Sequence, residues 1–216
     1  NSNPYVKARV TYGGKSVPIK LKLKGQISRQ HLGCRDCRPT SDGKVSYRVK
    51  VARGETILGM RRFALMSPVR RGSLNEWVFR QALSKEGIIS KRYALVRLNI
   101  NGNDKGVYFI DEHYDKGLLE YANRPDSVVV RFHNPVRDMM DLVAKPTDDK
   151  LFSLTYATTY QWFRAPPYSA YLDRAIHLLD EFSNGKYSVP EIFDVDLFAR
   201  YFALADVFRA WHGLSW

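Results

Sequence analysis

The sequence contains no apolar run long enough to cross a bilayer, and it therefore predicts no membrane span. Its first residues, Asn1 to Pro4, have neither a basic start nor an apolar core, so they do not resemble a signal peptide. Of the 216 residues, 44% are hydrophobic and 26% are charged, which is ordinary for a soluble globular protein. A chain of this length can bury a sizeable core, as one large domain or as two closely packed lobes.

Cysteine is scarce. Cys34 and Cys37 are the only two, and His31 lies three positions before the first of them. A short-loop disulfide between them would fit an oxidising compartment. A metal site would need a fourth ligand from elsewhere, because His31 and two thiolates supply only three. Two free thiols in a loop are the third interpretation, and the spacing does not choose among the three.

Acidic residues are nearly absent from the first third of the chain. Residues 1–71 contain 17 Lys and Arg side chains but only three acids, a net charge of +14. The remaining 145 residues carry 17 cations and 19 acids, which leaves the whole chain at +12. Such a cationic region predicts an anionic partner: nucleotide phosphates, nucleic acid, an acidic protein or an anionic surface.

Three segments in this cationic third alternate apolar and basic residues, namely 6–12, 19–24 and 46–51. A period of two predicts strands with one apolar face and one cationic face. Gly13 and Gly14 predict that the first two strands form a hairpin. The basic excess is therefore expected to lie on one face of a sheet.

Residues 73–86 carry apolar side chains at the spacing of an α-helix. Ser73 followed by Glu76 is typical of a capping box, and Gly87 is a plausible end of the helix. The expected apolar stripe of this helix is Leu74, Trp77, Val78 and Ala82.

The other predicted elements follow in order along the chain. Two strands, 93–100 and 107–110, are expected to form a second hairpin around a turn at 101–106. A short strand is expected at 128–132. The segment 134–168 contains four prolines and no clean period, and two helices are then expected at 169–183 and 195–211.

Several short sequences resemble functional motifs but do not meet their requirements. Gly14-Lys15-Ser16 is not a P-loop, because Arg9 stands where that motif needs glycine and a hairpin is predicted where it needs a helix. Asp194 and Asp196 could be a metal-binding pair, but Asp194 directly precedes a helical pattern and is better interpreted as its N-cap. The five histidines form no His-x-x-x-His pair, and no Gly-x-Ser-x-Gly elbow is present.

A series of short strings stands out in the middle of the chain. It comprises Leu23-Lys24-Gly25, residues 44–50 (KVSYRVK), 58–60 (LGM), 63–65 (FAL), the helix 73–86, 96–102 (VRLNING), 106–108 (GVY) and 112–116 (EHYDK). In this order and spacing the series resembles the CotH-like family, which is named for a spore-coat protein with a kinase-related fold. The similarity runs from about residue 6 to 120 and resumes at 193–216, which looks like the helix before the family's catalytic loop.

The resemblance implies an α+β, atypical protein-kinase-like fold with two lobes. The N-lobe, residues 1–133, would be an antiparallel, β-rich and basic lobe with the helix 73–86 inserted. Residues 134–216 would form a mainly helical and incomplete C-lobe. The family's metal-binding and catalytic acids fall after the position of Trp216, so the resemblance identifies no catalytic residue and no metal ligand in this chain.

The implied activity is ATP-dependent phosphorylation of protein Ser or Thr, with ATP and Mg²⁺ as cofactors, a Ser-rich or acidic protein as substrate, and no turnover by this chain alone. Phosphoryl transfer needs cations that hold the phosphates. The implied nucleotide-binding residues are Lys44, Arg48, Lys50, Glu76 and Glu112. By analogy with the family, the protein would be extracytoplasmic, either secreted or at the envelope or spore surface of a bacterium.

Three of these residues also have ordinary interpretations. Lys44 can be a solvated lysine at a strand edge, and Glu76 can be part of the capping box. Glu112 can pair with Lys116 at i,i+4 on the surface.

The competing function is that of a non-catalytic module. Its basic sheet would bind an acidic protein, a polymer or nucleic acid. Tyr12, Tyr47 and Phe63 lie among the cationic strands and could stack bases, although nucleic acid is the less favoured partner.

Overall fold

The computed structural model describes residues 4–24, 43–71, 74–124, 127–132, 157–158 and 161–210. The chain divides into two compact units, residues 1–123 and residues 124–216. The described elements are strands and α-helices in both units, so the predicted α+β class is confirmed. Cys34 and Cys37, and with them the disulfide, thiol and metal interpretations, lie outside the described residues.

The first unit contains a six-stranded antiparallel sheet with the strand order β1-β2-β3-β4-β6-β5. Its strands are β1 Val6–Tyr12, β2 Lys15–Leu23, β3 Tyr47–Val51, β4 Arg62–Met66, β5 Tyr93–Ile100 and β6 Asn103–Glu112. The predicted β1–β2 hairpin is confirmed: Gly13 and Gly14 have φ values of 56° and 77°, which a two-residue hairpin loop requires and which glycine adopts without strain.

The second hairpin is tighter than predicted. Its loop consists of Asn101 and Gly102 alone, with φ values of 52° and 81°, so β6 begins at Asn103 rather than at residue 107. The polar residues 103–106 resemble a turn, but cross-strand pairing with β5 overrides their composition. The guanidinium of Arg97 supports this pairing by donating to Asp104 Oδ2 at 2.6 Å.

The apolar face of the sheet supplies the core of the first unit. Register places Leu21 opposite Val49, and Val49 opposite Phe63, so that branched and aromatic side chains meet on one side. Val49 is 1% exposed. The buried cluster comprises Ile19, Val49, Ile57, Met60, Phe63 and Ile110. The predicted alternation of apolar and cationic faces is thereby confirmed.

The inserted helix, α1, runs from Asn75 to Lys85 and contacts β5. Its predicted apolar stripe is wrong: Leu74, Trp77 and Val78 are exposed, and the buried side chains are Phe79 and Leu83. The error arises because the helix is short and carries apolar residues on more than one face. Phe79 and Leu83 form the i,i+4 pair that the tertiary contacts of the helix bury.

The predicted capping box is also wrong in the described residues. The N-cap is Leu74, which makes no side-chain capping hydrogen bond, so Glu76 is the second helical residue instead of the third. Ser73 lies outside the described residues. A second short helix, α2 (Lys116–Tyr121), follows β6 and is capped by the carboxylate of Asp115.

The second unit contains two-residue strands β7 (Arg131–Phe132) and β8 (Ala157–Thr158), followed by helices α3 (Tyr168–Ser183), α4 (Val189–Ile192) and α5 (Val195–Val207). The predicted capping role of Asp194 is confirmed, because its Oδ1 accepts a hydrogen bond from the Leu197 amide at 2.9 Å. Helix α5 ends four residues before the predicted end. Arg209, at φ 50°, departs from helical geometry there. No helix in the described ranges is long and apolar enough to span a membrane.

Replacing Val49 with Ala should lower the free energy of unfolding by about 2 kcal/mol, because two buried methyl groups are lost and a cavity remains. The matched control is Val107→Ala in β6, at a side chain that is 46% exposed, and it should cost less than about 0.5 kcal/mol. Urea unfolding of both variants measures the difference. Equal costs would show that the apolar face of the sheet is not the core.

Candidate functional site

One face of strands β1–β4 carries cations that the register brings side by side. Lys50 lies opposite Lys20 on one side and opposite Arg62 on the other, and Lys20 lies opposite Lys7. We call this surface the basic face; it comprises Lys7, Lys20, Lys22, Arg48, Lys50 and Arg62. Two of the predicted site residues, Arg48 and Lys50, are therefore brought together on it.

The electrostatics of the basic face reflect this crowding. Burial lowers the pKa of Lys50, and the neighbouring charges of Arg62, Lys22, Arg48 and Lys20 lower it further. Tyr5 lies among these cations: the Lys22 and Lys50 amines are 4.8 and 4.3 Å from its ring centre. The face therefore has a strongly positive potential, and anionic groups are its natural ligands.

Lys44 lies elsewhere. Its amine is 5.7 Å from the ring centre of Tyr108, and that ring is 6.4 Å from the ring of Tyr47. Tyr47 alternates with Arg48 along β3 and so belongs to the opposite face of the sheet. The structure thus places Lys44 beside Tyr108, apart from Arg48 and Lys50.

Glu76 is held within its own helix. Its carboxylate accepts from Arg80 Nη2 at 2.6 Å, and both side chains are largely buried. Burial opposes the charge of Arg80, but Glu76, Tyr114 and Asp111 outweigh it and raise the pKa of the guanidinium. The acid predicted to pair with a lysine therefore pairs with Arg80.

Glu112 is the most completely enclosed of the predicted residues, at 2% exposed. Its Oε2 accepts from the Arg92 amide and from Arg92 Nε, both at 3.0 Å, and its Oε1 accepts from Arg92 Nη2. The alternative pairing with Lys116 is wrong: Lys116 pairs with Glu120 at 3.3 Å. The reason is that Glu112 still belongs to β6, where alternation turns it away from the surface of α2.

The consecutive acids at the end of β6 bind the consecutive cations that precede β5. Asp111 Oδ1 lies 2.6 Å from Lys91 Nζ, and Glu112 pairs with Arg92. Strand alternation sends the two pairs to opposite faces of the sheet. We call this group the ion-pair cluster; it comprises Glu76, Arg80, Lys91, Arg92, Asp111 and Glu112.

Gly59 lies directly beneath the Arg92 guanidinium. A Cβ at this position would collide with Arg92 Nη1, and the φ of 74° is itself unfavourable for any residue with a side chain. The Arg92 guanidinium also lies 4.7 Å from the Tyr121 ring centre. The bond with Glu112 is the main cause of the raised pKa of Arg92. Glu112, the Tyr121 ring and the Gly59 backbone thus all contact the Arg92 guanidinium.

Sequence reasoning missed Lys91, Arg92 and Asp111. The observed register pairs Tyr93 with Asp111, and continuing it by one position sets Arg92 opposite Glu112. The predicted turn at 101–106 would instead have set Ile100 opposite Val107 and Tyr93 opposite Tyr114. The predicted hairpin therefore did not contain the pair, because the tighter turn fixes a different register.

A cavity of about 300 Å³ lies beside the ion-pair cluster and is lined in part by Arg80, Lys91 and Arg92. Each of these cations is already paired with a carboxylate. The cavity wall therefore offers less positive charge to a ligand than the basic face does. For phosphate groups, the basic face is the stronger candidate.

Among the described residues, no group of three or more His, Cys, Asp and Glu side chains could hold a metal ion. The described residues thus form an α+β protein whose sheet presents a cationic face to anionic groups.

The sequence matches the CotH kinase protein family over residues 23–213, and the chain belongs to this family. This match covers most of the chain and confirms the resemblance noted from the short strings. Family membership indicates a kinase-like function and implies nucleotide binding, and the family is associated with the spore coat. A search of curated proteins found no match to this chain.

Replacing Glu112 with Gln should lower the free energy of unfolding by about 3 kcal/mol, because the Arg92 charge is left without its buried partner. The matched control is Glu120→Gln, which removes the surface partner of Lys116 and should cost less than about 0.5 kcal/mol. In an Arg92→Met background, Glu112→Gln should cost less than in the native chain. Urea unfolding measures all four variants, and an equal cost in both backgrounds would contradict the coupling.

His113 should make folding sensitive to acid. Burial lowers its pKa to about 4, and the charges of Arg48, Arg62 and Lys91 act in the same direction. Because the unfolded chain takes up this proton near pH 6.5, the unfolded state binds more protons between those values. Stability should therefore fall as the pH decreases from about 6.5 to about 4, by on the order of 2 kcal/mol.

His113→Gln removes this contribution, so the difference in unfolding free energy between native and variant chains should change across that pH window. His177→Gln, at an exposed histidine of α3, is the control. Urea unfolding at a series of pH values gives both curves. Parallel curves for the native chain and His113→Gln would refute the assignment.

Proposed function

We propose that this chain is the nucleotide-binding part of a two-lobed atypical protein kinase that transfers phosphate from ATP to Ser or Thr of a protein. One observation carries the proposal: in a member of the CotH kinase family, the sheet register gathers Arg48 and Lys50 with neighbouring cations on one face. Cations positioned on the phosphates are a basic requirement of phosphoryl transfer.

The order of elements supports a kinase-like N-lobe. Strand β4 leads into helix α1, and the helix leads into the β5–β6 hairpin. In protein kinases, a lysine on the third strand pairs with a glutamate of the following helix. Here Glu76 of α1 pairs with Arg80, so in this proposal Glu76 is a positioning residue that orients Arg80.

Glu112 has a comparable indirect role. By resemblance to the family, Glu112 lies in the segment that leads from the last strand toward the nucleotide cleft. Its bonds to Arg92 fix the end of β6 against the start of β5. We therefore assign Glu112 to the positioning of residues 112–116 and the phosphate contacts to Arg48 and Lys50. Lys44, which lies beside Tyr108 and apart from Arg48 and Lys50, stays a nucleotide contact proposed from the family resemblance alone.

The two implied cofactors, ATP and Mg²⁺, place different requirements on the described residues. The basic face suits the phosphates of ATP, because guanidinium and ammonium groups are their preferred partners. Mg²⁺ is usually held by one or two carboxylates together with substrate phosphates, and among the described residues no group of three or more His, Cys, Asp and Glu side chains gathers to bind a metal ion. What these residues supply is phosphate binding, and no transfer step follows from them.

The remaining features of the proposal follow from the family. The two lobes correspond to residues 1–133 and 134–216, and the compact units of the structure divide ten residues earlier. The protein substrate is proposed to be Ser-rich or acidic. The proposed location is extracytoplasmic, at the bacterial envelope or the spore surface.

Calorimetric titration with a non-hydrolysable ATP analogue, with and without Mg²⁺, tests the proposal. One saturable site is expected, and Arg48→Ala and Lys50→Ala should each weaken binding about tenfold, because each removes a charge-assisted contact. Lys85→Ala, at an exposed cation at the end of α1, should leave the affinity unchanged. No binding to the folded native chain would overturn the proposal.

Lys44 has its own test. At a hundredfold excess over its dissociation constant, a ligand stabilises a fold by about 2.7 kcal/mol. Lys44→Ala should abolish this stabilisation by Mg-ATP while the fold stays intact. Equal stabilisation of native and Lys44→Ala chains, measured by thermal unfolding, would remove Lys44 from the site.

A further inference from the structure

We propose that the basic face is a docking surface for an acidic polypeptide segment that lies across strands β1 to β4. This surface shares Arg48 and Lys50 with the proposed nucleotide site and extends beyond them to Lys7 and Lys20, and its function does not depend on phosphoryl transfer.

The first step is the length of the surface. Lys7, Lys20, Lys50 and Arg62 occupy one row, each opposite the next on four successive strands. Neighbouring strands lie about 4.8 Å apart, so the row is roughly 14 Å long. Lys22 and Arg48 form a second, parallel row on the same face. A linear ligand with several negative charges fits this arrangement better than a compact one.

The second step is charge balance. Strands β1 to β4 contain no Asp or Glu. Like charges placed directly opposite each other in a sheet are destabilising. At the other end of the sheet the opposite pattern holds, because Lys91 and Arg92 face Asp111 and Glu112. The chain thus pairs cations with acids at one end of the sheet, whereas Lys7, Lys20 and Lys50 face one another at the other end, where an anionic ligand would reduce their mutual repulsion.

The third step is the choice of occupant. Single-stranded nucleic acids bind proteins by stacking bases on aromatic rings beside a cationic groove. Tyr5, the ring described among these cations, already contacts the amines of Lys22 and Lys50. Two lysine amines thus already lie against this ring, where a stacking base would compete with them. This favours carboxylates over bases, and an extended acidic peptide of four or five residues would cover the row, at about 3.4 Å per residue.

The surface can be separated experimentally from the nucleotide site. Lys7 and Lys20 are exposed and lie outside the residues assigned to ATP. A double variant, Lys7→Gln with Lys20→Gln, removes two charges from the row. The control, Lys85→Gln with Lys105→Gln, removes two exposed cations elsewhere in the first unit and gives the same net charge.

The experiment is fluorescence anisotropy of a labelled Asp/Glu-rich peptide with the whole chain, at low and at physiological salt. The native chain should bind the peptide and release it as salt rises, because exposed charge pairs are screened. The Lys7/Lys20 variant should bind about tenfold more weakly, and the control should bind as the native chain does. An Asn/Gln version of the peptide should not bind.

Three results would overturn the proposal: no binding at low salt, equal losses in the two double variants, or tighter binding of a single-stranded oligonucleotide than of the acidic peptide. Circular dichroism and thermal unfolding show whether the variants are folded, and the single variants Lys7→Gln and Lys20→Gln replace any that is not. Binding of the ATP analogue should be unchanged in the Lys7/Lys20 variant. Failure of peptide docking would therefore leave the nucleotide proposal standing, and the reverse is also true.

Discussion

Antiparallel pairing with alternating side chains is the constraint on which the rest of the first unit depends. Once Val49 is fixed opposite Leu21 and Phe63 in the core, its neighbours Arg48 and Lys50 must point to the other side. A slip of one residue would exchange the two faces and bury lysines among aliphatic side chains. Burial of the apolar face and display of the basic face are therefore one event: the chain cannot form its core without creating the cationic surface.

The ion-pair cluster fixes the other end of the sheet by a different means. Buried ion pairs contribute uncertainly to net stability, because removing charges from water is costly. They discriminate well between alternatives, however, since a shifted β5–β6 register would leave Asp111 or Glu112 buried without its cation. We interpret the Lys91–Asp111 and Arg92–Glu112 pairs as determinants of register in this hairpin. By fixing the register, these pairs also fix where β6 ends and where residues 113–115 connect it to α2.

Much of the fold could be predicted from the sequence, because it is encoded locally. The β1–β2 hairpin, the alternation in β1 to β3 and the capping role of Asp194 all depend on neighbouring residues and were predicted correctly. The buried face of α1 was predicted wrongly, because it depends on what the helix meets in space. Trp77 and Phe79 are both large aromatic residues of the same helix, and tertiary contacts alone determine that Phe79 is the buried one.

The candidate site divides in the same way. The grouping of Arg48 and Lys50 follows from period two and was accessible from the sequence. The partners of Glu76 and Glu112 were not accessible from the sequence. Glu76 was interpreted as part of a capping box instead of as the partner of Arg80, and Arg92 lies 20 residues away from Glu112 along the chain. The positions of such long side chains depend on the strand register and on burial, neither of which local composition specifies.

The contact between Gly59 and Arg92 bears on how the family can diversify. The guanidinium occupies the space that a side chain at position 59 would need, and the backbone there has a positive φ. A substitution at Gly59 would therefore meet two separate obstacles, the positive φ and the Arg92 side chain, and shortening Arg92 would remove only the second. Arg92 is in turn paired with Glu112, so the effects of substitutions at these three positions should be coupled, although the positions lie far apart in the sequence.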